Sequence, residues 1–400
     1  MRFYTRQHRH YCGVDLHARS MYVCILDAEG AVLASKDIAA APEPFLELIA
    51  PYREDLAVAV ECMFTWYWLA DLCEREGIVF VLGHALYMRA IHGGKAKNDR
   101  IDAHKIAALL RGGLLPQAYV YPRAMRATRD LMRRRNYLMR KRSELLVHIQ
   151  NTNSQYNLPA FGARLAKPHL RRQAAEHFGE AAVRKSVALD VSLIDHYDRE
   201  LPQLERYIES AAHGHDPVAL ALVRTVPGLG EILGLSIVYE IERIQRFPRV
   251  QDFLSYGRLV KPTKSSAGKV LGHSGGKIGN AHLKWAFSEA AVCFLRRNKR
   301  GQALRARLAA KHGKGKSLSI IAARLARAVY FMLKRRAPFD EERFFAQSSS
   351  AEAKGSSPNV LTGATPKGAR PAQSLTEVTV PSSTTGKLGR KRMRPVAQPH

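Results

Sequence analysis

Four carboxylates stand where they could hold divalent metal. Asp15 sits inside Gly13-Val-Asp-Leu-His17, in an apolar run. Glu61 directly follows the apolar run Leu56–Val60. Asp99 and Asp102 lie three apart in Lys97-Asn-Asp-Arg-Ile-Asp-Ala-His-Lys105. That spacing puts both on one face at the start of a helix. Carboxylates drawn together repel, and divalent cations relieve the repulsion. Hard oxygen ligands suit Mg²⁺ or Mn²⁺. Two such ions about 4 Å apart clamp the attacking and leaving oxygens of a phosphoryl displacement. Taken singly, Asp15 fits a turn or cap equally well, and Asp99 fits a helix N-cap. His17 and His104 flank the set, either as proton carriers or as hydrogen-bonding and packing neighbours.

A second chemical candidate is Lys264-Ser-Ser-Ala-Gly-Lys-Val-Leu-Gly272. A serine among small residues, between Lys264 and Lys269, is sterically open and sits in positive potential. Both suit attack on a phosphodiester. Ser274 in His273-Ser-Gly-Gly-Lys277 competes for that role. Val226-Pro-Gly-Leu-Gly230 ends one helix and opens another. Gly228 and Gly230 there could expose helix N-terminal N–H groups to a phosphate, or could form an ordinary structural turn.

The elements that must carry these residues follow from apolar patterning. Tyr11–Leu16, Met21–Leu26 and Ala31–Ser35 read as three strands, with a turn at Asp27–Gly30. Pro44–Tyr52 reads as a helix, Leu56–Val60 as a buried strand, and Thr65–Glu76 as a helix. Ile78–Leu82 is a further strand, Leu86–Ile91 a short helix, and a last helix runs from Asp99 to Leu110. The order βββαβαβα predicts an α/β domain over residues 1–115, with its first and fourth strands adjacent and the last helix across them. All four carboxylates could then converge. A Gly-x-Asp beginning also opens actin-like sugar-kinase folds, but those need Gly-rich phosphate loops later, and the Lys97–Lys105 motif suits a nuclease-type site better.

From Arg123 to Arg142 nine of twenty residues are Arg or Lys, and Leu131, Leu138 and Leu145 recur at heptad spacing. A long helix, apolar on one face and basic on the other, is predicted. It is either a solvated coiled-coil face or, through Arg133, Arg134 and Arg135, a nucleic-acid contact. Ala181–Ala211 could pair with it antiparallel, giving a linker domain over 116–215. Residues 216–345 read as a mainly helical third domain with an amphipathic helix at Ala281–Arg297. Residues 346–400, rich in Ser, Thr, Gly, Pro and Lys, read as a disordered basic tail.

The 400 residues carry 63 Lys and Arg against 35 Asp and Glu, a formal charge of +28. Such an excess points to a polyanionic partner, nucleic acid first and a basic membrane surface second. No apolar run is long enough for a membrane span, and the basic start lacks the apolar stretch of a signal peptide. Cys12, Cys24, Cys62, Cys73 and Cys293 show no paired spacing and read as buried thiols of a reducing compartment.

Gly13-Val-Asp-Leu-His17, Glu61 and Lys97–Asp102, followed by Val226–Gly230, Phe247, Tyr256-Gly-Arg-Leu259, Ser265-Ser-Ala-Gly-Lys269 and Gly279-Asn-Ala-His-Leu-Lys284, together resemble the IS110/IS1111-type transposases. The resemblance covers roughly residues 10–335. It implies an RNase H-like (RuvC-like) DEDD domain, a coiled-coil linker and a C-terminal transposase domain. It implies strand cleavage and transfer in which a serine attacks DNA and becomes joined to it, assisted by Mg²⁺ or Mn²⁺ on the DEDD carboxylates. A structured guide RNA, a homo-oligomer and a bacterial cytoplasmic setting at the nucleoid are implied as well. The DEDD set maps to Asp15, Glu61, Asp99 and Asp102, and the nucleophile to Ser266, with Ser265 beside it. Lys264, Lys269, Lys277 and Lys284 would face nucleic acid; Lys284 replaces the family's usual Arg, keeping charge but losing bidentate geometry. From the residues alone, a metal-dependent Holliday-junction-type endonuclease and a non-catalytic nucleic-acid-binding protein stay open.

Overall fold

The computed structural model describes residues 2–91, 98–162, 165, 167–212, 214–260, 263–267, 269–273 and 278–346. The chain opens with β1 (Phe3–Tyr4), β2 (His10–Leu16), β3 (Ser20–Leu26) and β4 (Val32–Ala39). Then come α1 (Pro42–Ile49), β5 (Leu56–Glu61), α2 (Tyr67–Arg75), β6 (Val79–Gly83), α3 (Ala85–Ile91), α4 (Asp99–Arg111) and β7 (Leu115–Pro116). One mixed sheet runs in the order β4-β3-β2-β5-β6. β2, β3 and β4 are antiparallel, while β5 and β6 run parallel to β2. The first and fourth expected strands are thus neighbours. The small pair β1–β7 was not anticipated, because two-residue strands carry no period.

Strand alternation decides which side chains meet which helices. On β2 and β5, Cys12, Val14, Val58 and Val60 pack beneath α1 and α2. Tyr11, Ala57 and Ala59 face α4 with Ile106, Leu109 and Leu110. Gly13, Asp15 and Glu61 continue this second period, on the α4 side.

Beyond the sheet come α5 (Arg123–Gln155), α6 (Pro168–Arg171) and α7 (Ala181–Ala212). Ion pairs Arg135–Glu205, Arg142–Asp198 and His148–Asp190 step up α5 and down α7, so the two long helices are antiparallel. Midway along α7, Arg171 is fully buried between Asp195 and Asp198, 2.6 Å from each. Burial raises both aspartate pKa values, but the arginine hydrogen bonds outweigh it and bring them below the ordinary range.

The C-terminal part comprises α8 (Pro217–Arg224), α9 (Glu231–Ile241), α10 (Val250–Tyr256), β8 (Thr263–Ser266), β9 (Lys269–His273), α11 (Ala281–Arg297), α12 (Lys299–His312) and α13 (Lys314–Arg335). Its core is aromatic and aliphatic, with Phe253, Phe287, Phe294, Ile321 and Val329 buried. Residues Met1–Phe345 form one compact unit; the second unit, Ala346–His400, falls almost wholly outside the described residues, and with it the expected tail.

Candidate functional site

The acidic site is built by one close approach. A Cβ at position 13 would sit 2.2 Å from the Ala103 carbonyl oxygen and 2.4 Å from the Ala107 amide nitrogen. Only glycine lets α4 lie directly on β2 there. Asp15, two residues along on the same face, therefore meets the first turn of α4. That turn is capped by Asn98, whose Oδ1 accepts from Ile101 N–H at 2.8 Å. The cap role that Asp99 could have filled belongs to Asn98, and Asp99 is exposed toward the site.

Among the described residues, one group brings three potential ligand atoms within 4.8 Å of one another: Asp15, His17 and Asp99. His17 Nε2 lies 3.6 Å from Asp15 Oδ2 and 3.5 Å from Asp99 Oδ2. Sequence reasoning left His17 between a proton-carrying and a packing role; its type and its place two residues after Asp15 were the signal. Glu61 stands on the same sheet face at the end of β5, the strand beside β2, but is not in that group. Asp102 is a turn further along α4 and pairs with Lys105 at 3.4 Å. Of the four carboxylates expected to converge, Asp15 and Asp99 are in this group, while Glu61 and Asp102 are not. His104 is exposed.

Ser266 is exposed in the second candidate region. The stretch is a hairpin, with Ser266 paired to Lys269 at its tip. Ala267 follows at φ +48°, a conformation that favours glycine. Lys269 and Lys284 are exposed. Lys264 lies on β8; Ser274 and Lys277 lie outside the described residues. Gly228, at φ +86°, is demanded by packing: a Cβ there would stand 2.6 Å from the Cys293 carbonyl oxygen. Gly230 caps α9 without a side-chain hydrogen bond, and Glu231 in the first turn pairs with Arg224.

The arginine triplet departs from the expected basic face. Consecutive helical residues point about 100° apart. Arg133 makes a bidentate pair with the buried Glu240, Nε to Oε1 at 2.7 Å and Nη2 to Oε2 at 2.9 Å. Arg135 is paired to Glu205 across the helix hairpin. Arg134 alone of the three is exposed, its guanidinium 5.0 Å from the Tyr137 ring centre. The cysteine reading also needs one correction: Cys12, Cys24 and Cys73 are buried and Cys293 partly so, but Cys62 is exposed.

Two hard carboxylates with an imidazole beside them are a donor set that fits a divalent cation. Comparison with known families decides the rest. Residues 12–157 match the family model of the IS110 DEDD transposases, and residues 220–306 match that of the transposase IS116/IS110/IS902 family. The chain belongs to the IS110 family of transposases. The two matches cover the acidic site and the serine hairpin respectively. No curated protein matches the chain. As an IS110-family transposase it acts in DNA transposition, which implies DNA as a partner. No helix among the described residues is long and apolar enough to cross a membrane.

Proposed function

We propose that this IS110-family transposase cleaves and transfers DNA strands with Ser266 as the attacking group and the acidic site as its electrostatic partner. The observation that carries this reading is the cluster of Asp15, His17 and Asp99 at the C-terminal end of the central strand β2, beside the Gly13 contact. In this reading residues 1–115 are an RNase H-like DEDD domain, 116–215 a linker and 216–345 the serine domain. Asp15 and Asp99, with His17, Glu61 and Asp102 around them, would hold Mg²⁺ or Mn²⁺. Bound there, the cation would neutralise charge developing on the phosphate.

The chain's own residues do the remainder. Ser266 Oγ forms a bond to phosphorus as the bond to the leaving DNA oxygen breaks. The hydroxyl proton goes to a base, and the leaving oxygen takes one up. One phosphoester replaces another, so the bond energy is kept for rejoining. Lys264, Lys269, Lys277 and Lys284 attract the phosphate backbone. A structured guide RNA selects the target, and a homo-oligomer brings DNA ends together; the +28 charge supports two polyanionic partners.

Denatured reaction mixtures test this. Protein covalently joined to a DNA end is expected, and Ser266→Ala should remove it. If cleavage proceeds without any adduct, and no serine variant matters, water is the attacking group and the chain works as a metal-dependent endonuclease.

A further inference from the structure

Glu240 lies where three parts of the chain meet. It sits on α9, is 3% exposed, and its carboxylate receives three side chains. Arg129 Nη2 donates at 2.9 Å, Arg133 donates to both oxygens, and Asn280 Nδ2 donates at 2.6 Å. Asn280 is also the N-cap of α11, accepting from Leu283 N–H at 2.9 Å, and its own N–H donates to the Tyr256 carbonyl at 2.6 Å. Arg258 Nε donates to the Gly279 carbonyl at 2.7 Å. A Cβ on Gly279 would stand 2.5 Å from the Tyr256 carbonyl oxygen. Residues 256–258 and 279–280 thus close a neck, and the segment between them carries β8, β9 and Ser266. On its other side, Glu240 grips a helix fastened to the acidic part of the chain. Arg126 of α5 pairs with Asp71 of α2 at 2.6 Å, and Tyr67 of α2 donates to Asp130 of α5 at 2.9 Å.

We propose that Glu240 is a positioning residue of the transposition reaction, holding the neck of the serine-bearing segment against the helix that is fastened to the acidic site's domain. The inference rests on the reading of Ser266 as the attacking group. A hydrogen bond to a charged acceptor is stronger and shorter than a neutral one, so Asn280 is held firmly in one direction. Firmness matters because a misplacement of about 1 Å at a reacting atom costs roughly 100-fold in rate.

Glu240→Ala would leave two arginines without a counter-charge and could unfold the region whatever its role. The test is therefore an exchange of groups. Asn280→Asp keeps an N-capping oxygen but sets carboxylate against carboxylate. Adding Glu240→Gln relieves the carboxylate pair and restores the net charge and one amide–carboxylate hydrogen bond between positions 240 and 280, but turns an amide N–H₂ toward Arg129 and Arg133, which share Oε2 with Asn280. For Asn280→Asp in the full chain, the Ser266–DNA adduct should form roughly 100-fold more slowly while DNA affinity is kept. Without DNA, amide exchange in residues 263–273 should quicken about tenfold, while the β2–β6 sheet keeps its protection. The double variant should restore both in part. Unchanged exchange in Asn280→Asp, or no restoration in the double variant, overturns the proposal. So does a loosened and restored hairpin with no change in an adduct that Ser266→Ala does abolish. If the unmodified chain forms no Ser266-dependent adduct, the serine reading has failed instead, and the exchange measurements still decide whether Glu240 holds the neck.

Discussion

Gly13 is the residue on which the acidic site depends most directly, although it carries no functional group. Gly13→Ala must push α4 off the sheet, since the obstructing atoms are backbone. Overpacking of this kind costs about 1–3 kcal/mol or more. We expect a fall of several degrees in melting temperature together with loss of DNA cleavage; full activity would show that α4 need not lie on β2. Asp15→Asn and Asp99→Asn should instead leave the melting temperature of the metal-free protein nearly unchanged and abolish cleavage, because both side chains reach solvent. Retained cleavage in both would remove them from the mechanism. The closeness of Asp15 and Asp99 was legible in the sequence because residue type, strand position and helix start all agree. His17 between two carboxylates was not, because its partner Asp99 is 82 positions away and the placement depends on the Gly13 contact.

At the scale of elements, the buried carboxylate on α9 predicts an acid sensitivity. Burial raises the Glu240 pKa, but the Arg133 hydrogen bonds, the charges of Arg129 and Arg133 and the Asn280 amide together bring it down to about 2. A group with a depressed folded value stabilises fully above its unfolded value and loses that contribution as pH falls through the folded one. Stability should therefore decline between about pH 4.5 and pH 2, by an amount on the order of 3 kcal/mol for this group. Denaturant melts of the full chain across this window check it. A flat profile would mean Glu240 is not held ionised. The strands and long helices were readable from apolar period. The β8–β9 hairpin was not, because Gly, Ser and Lys conceal any alternation and its turn uses Ala267 where glycine would signal it. Nor were the partners of Arg133 and Arg135 readable, since they lie 107 and 70 positions away.

For the whole molecule, the +28 charge predicts binding that weakens steeply with salt. Each neutralised phosphate adds about 0.9 to the slope of log affinity against log salt on duplex DNA. Arg134→Glu should lower that slope, whereas Arg133 and Arg135, already engaged, should disturb folding more than the slope. Equal effects from all three would mean the intramolecular pairs are dispensable. Mixing Asp15→Asn with Ser266→Ala protein tests how the two half-sites combine. Partial recovery of the adduct is expected if an acidic site from one chain serves a serine from another; a dead mixture means both come from one chain.

The paired helices α5 and α7 also set a length. Lys185 near the start of α7 stands level with about residue 153 of α5, judged from the cross-helix pairs. Arg134 and Lys185, both exposed, are thus separated by some twenty residues of helix, about 30 Å at a rise of ~1.5 Å each. One turn of B-form duplex is about 34 Å. Arg140 and Arg199, also exposed, lie between them, so a duplex laid along this rod would meet a track of cations over roughly one helical turn, about ten base pairs. Hydroxyl-radical protection over about ten base pairs, lengthening when whole turns of helix are added to both arms, is how such a track would be seen.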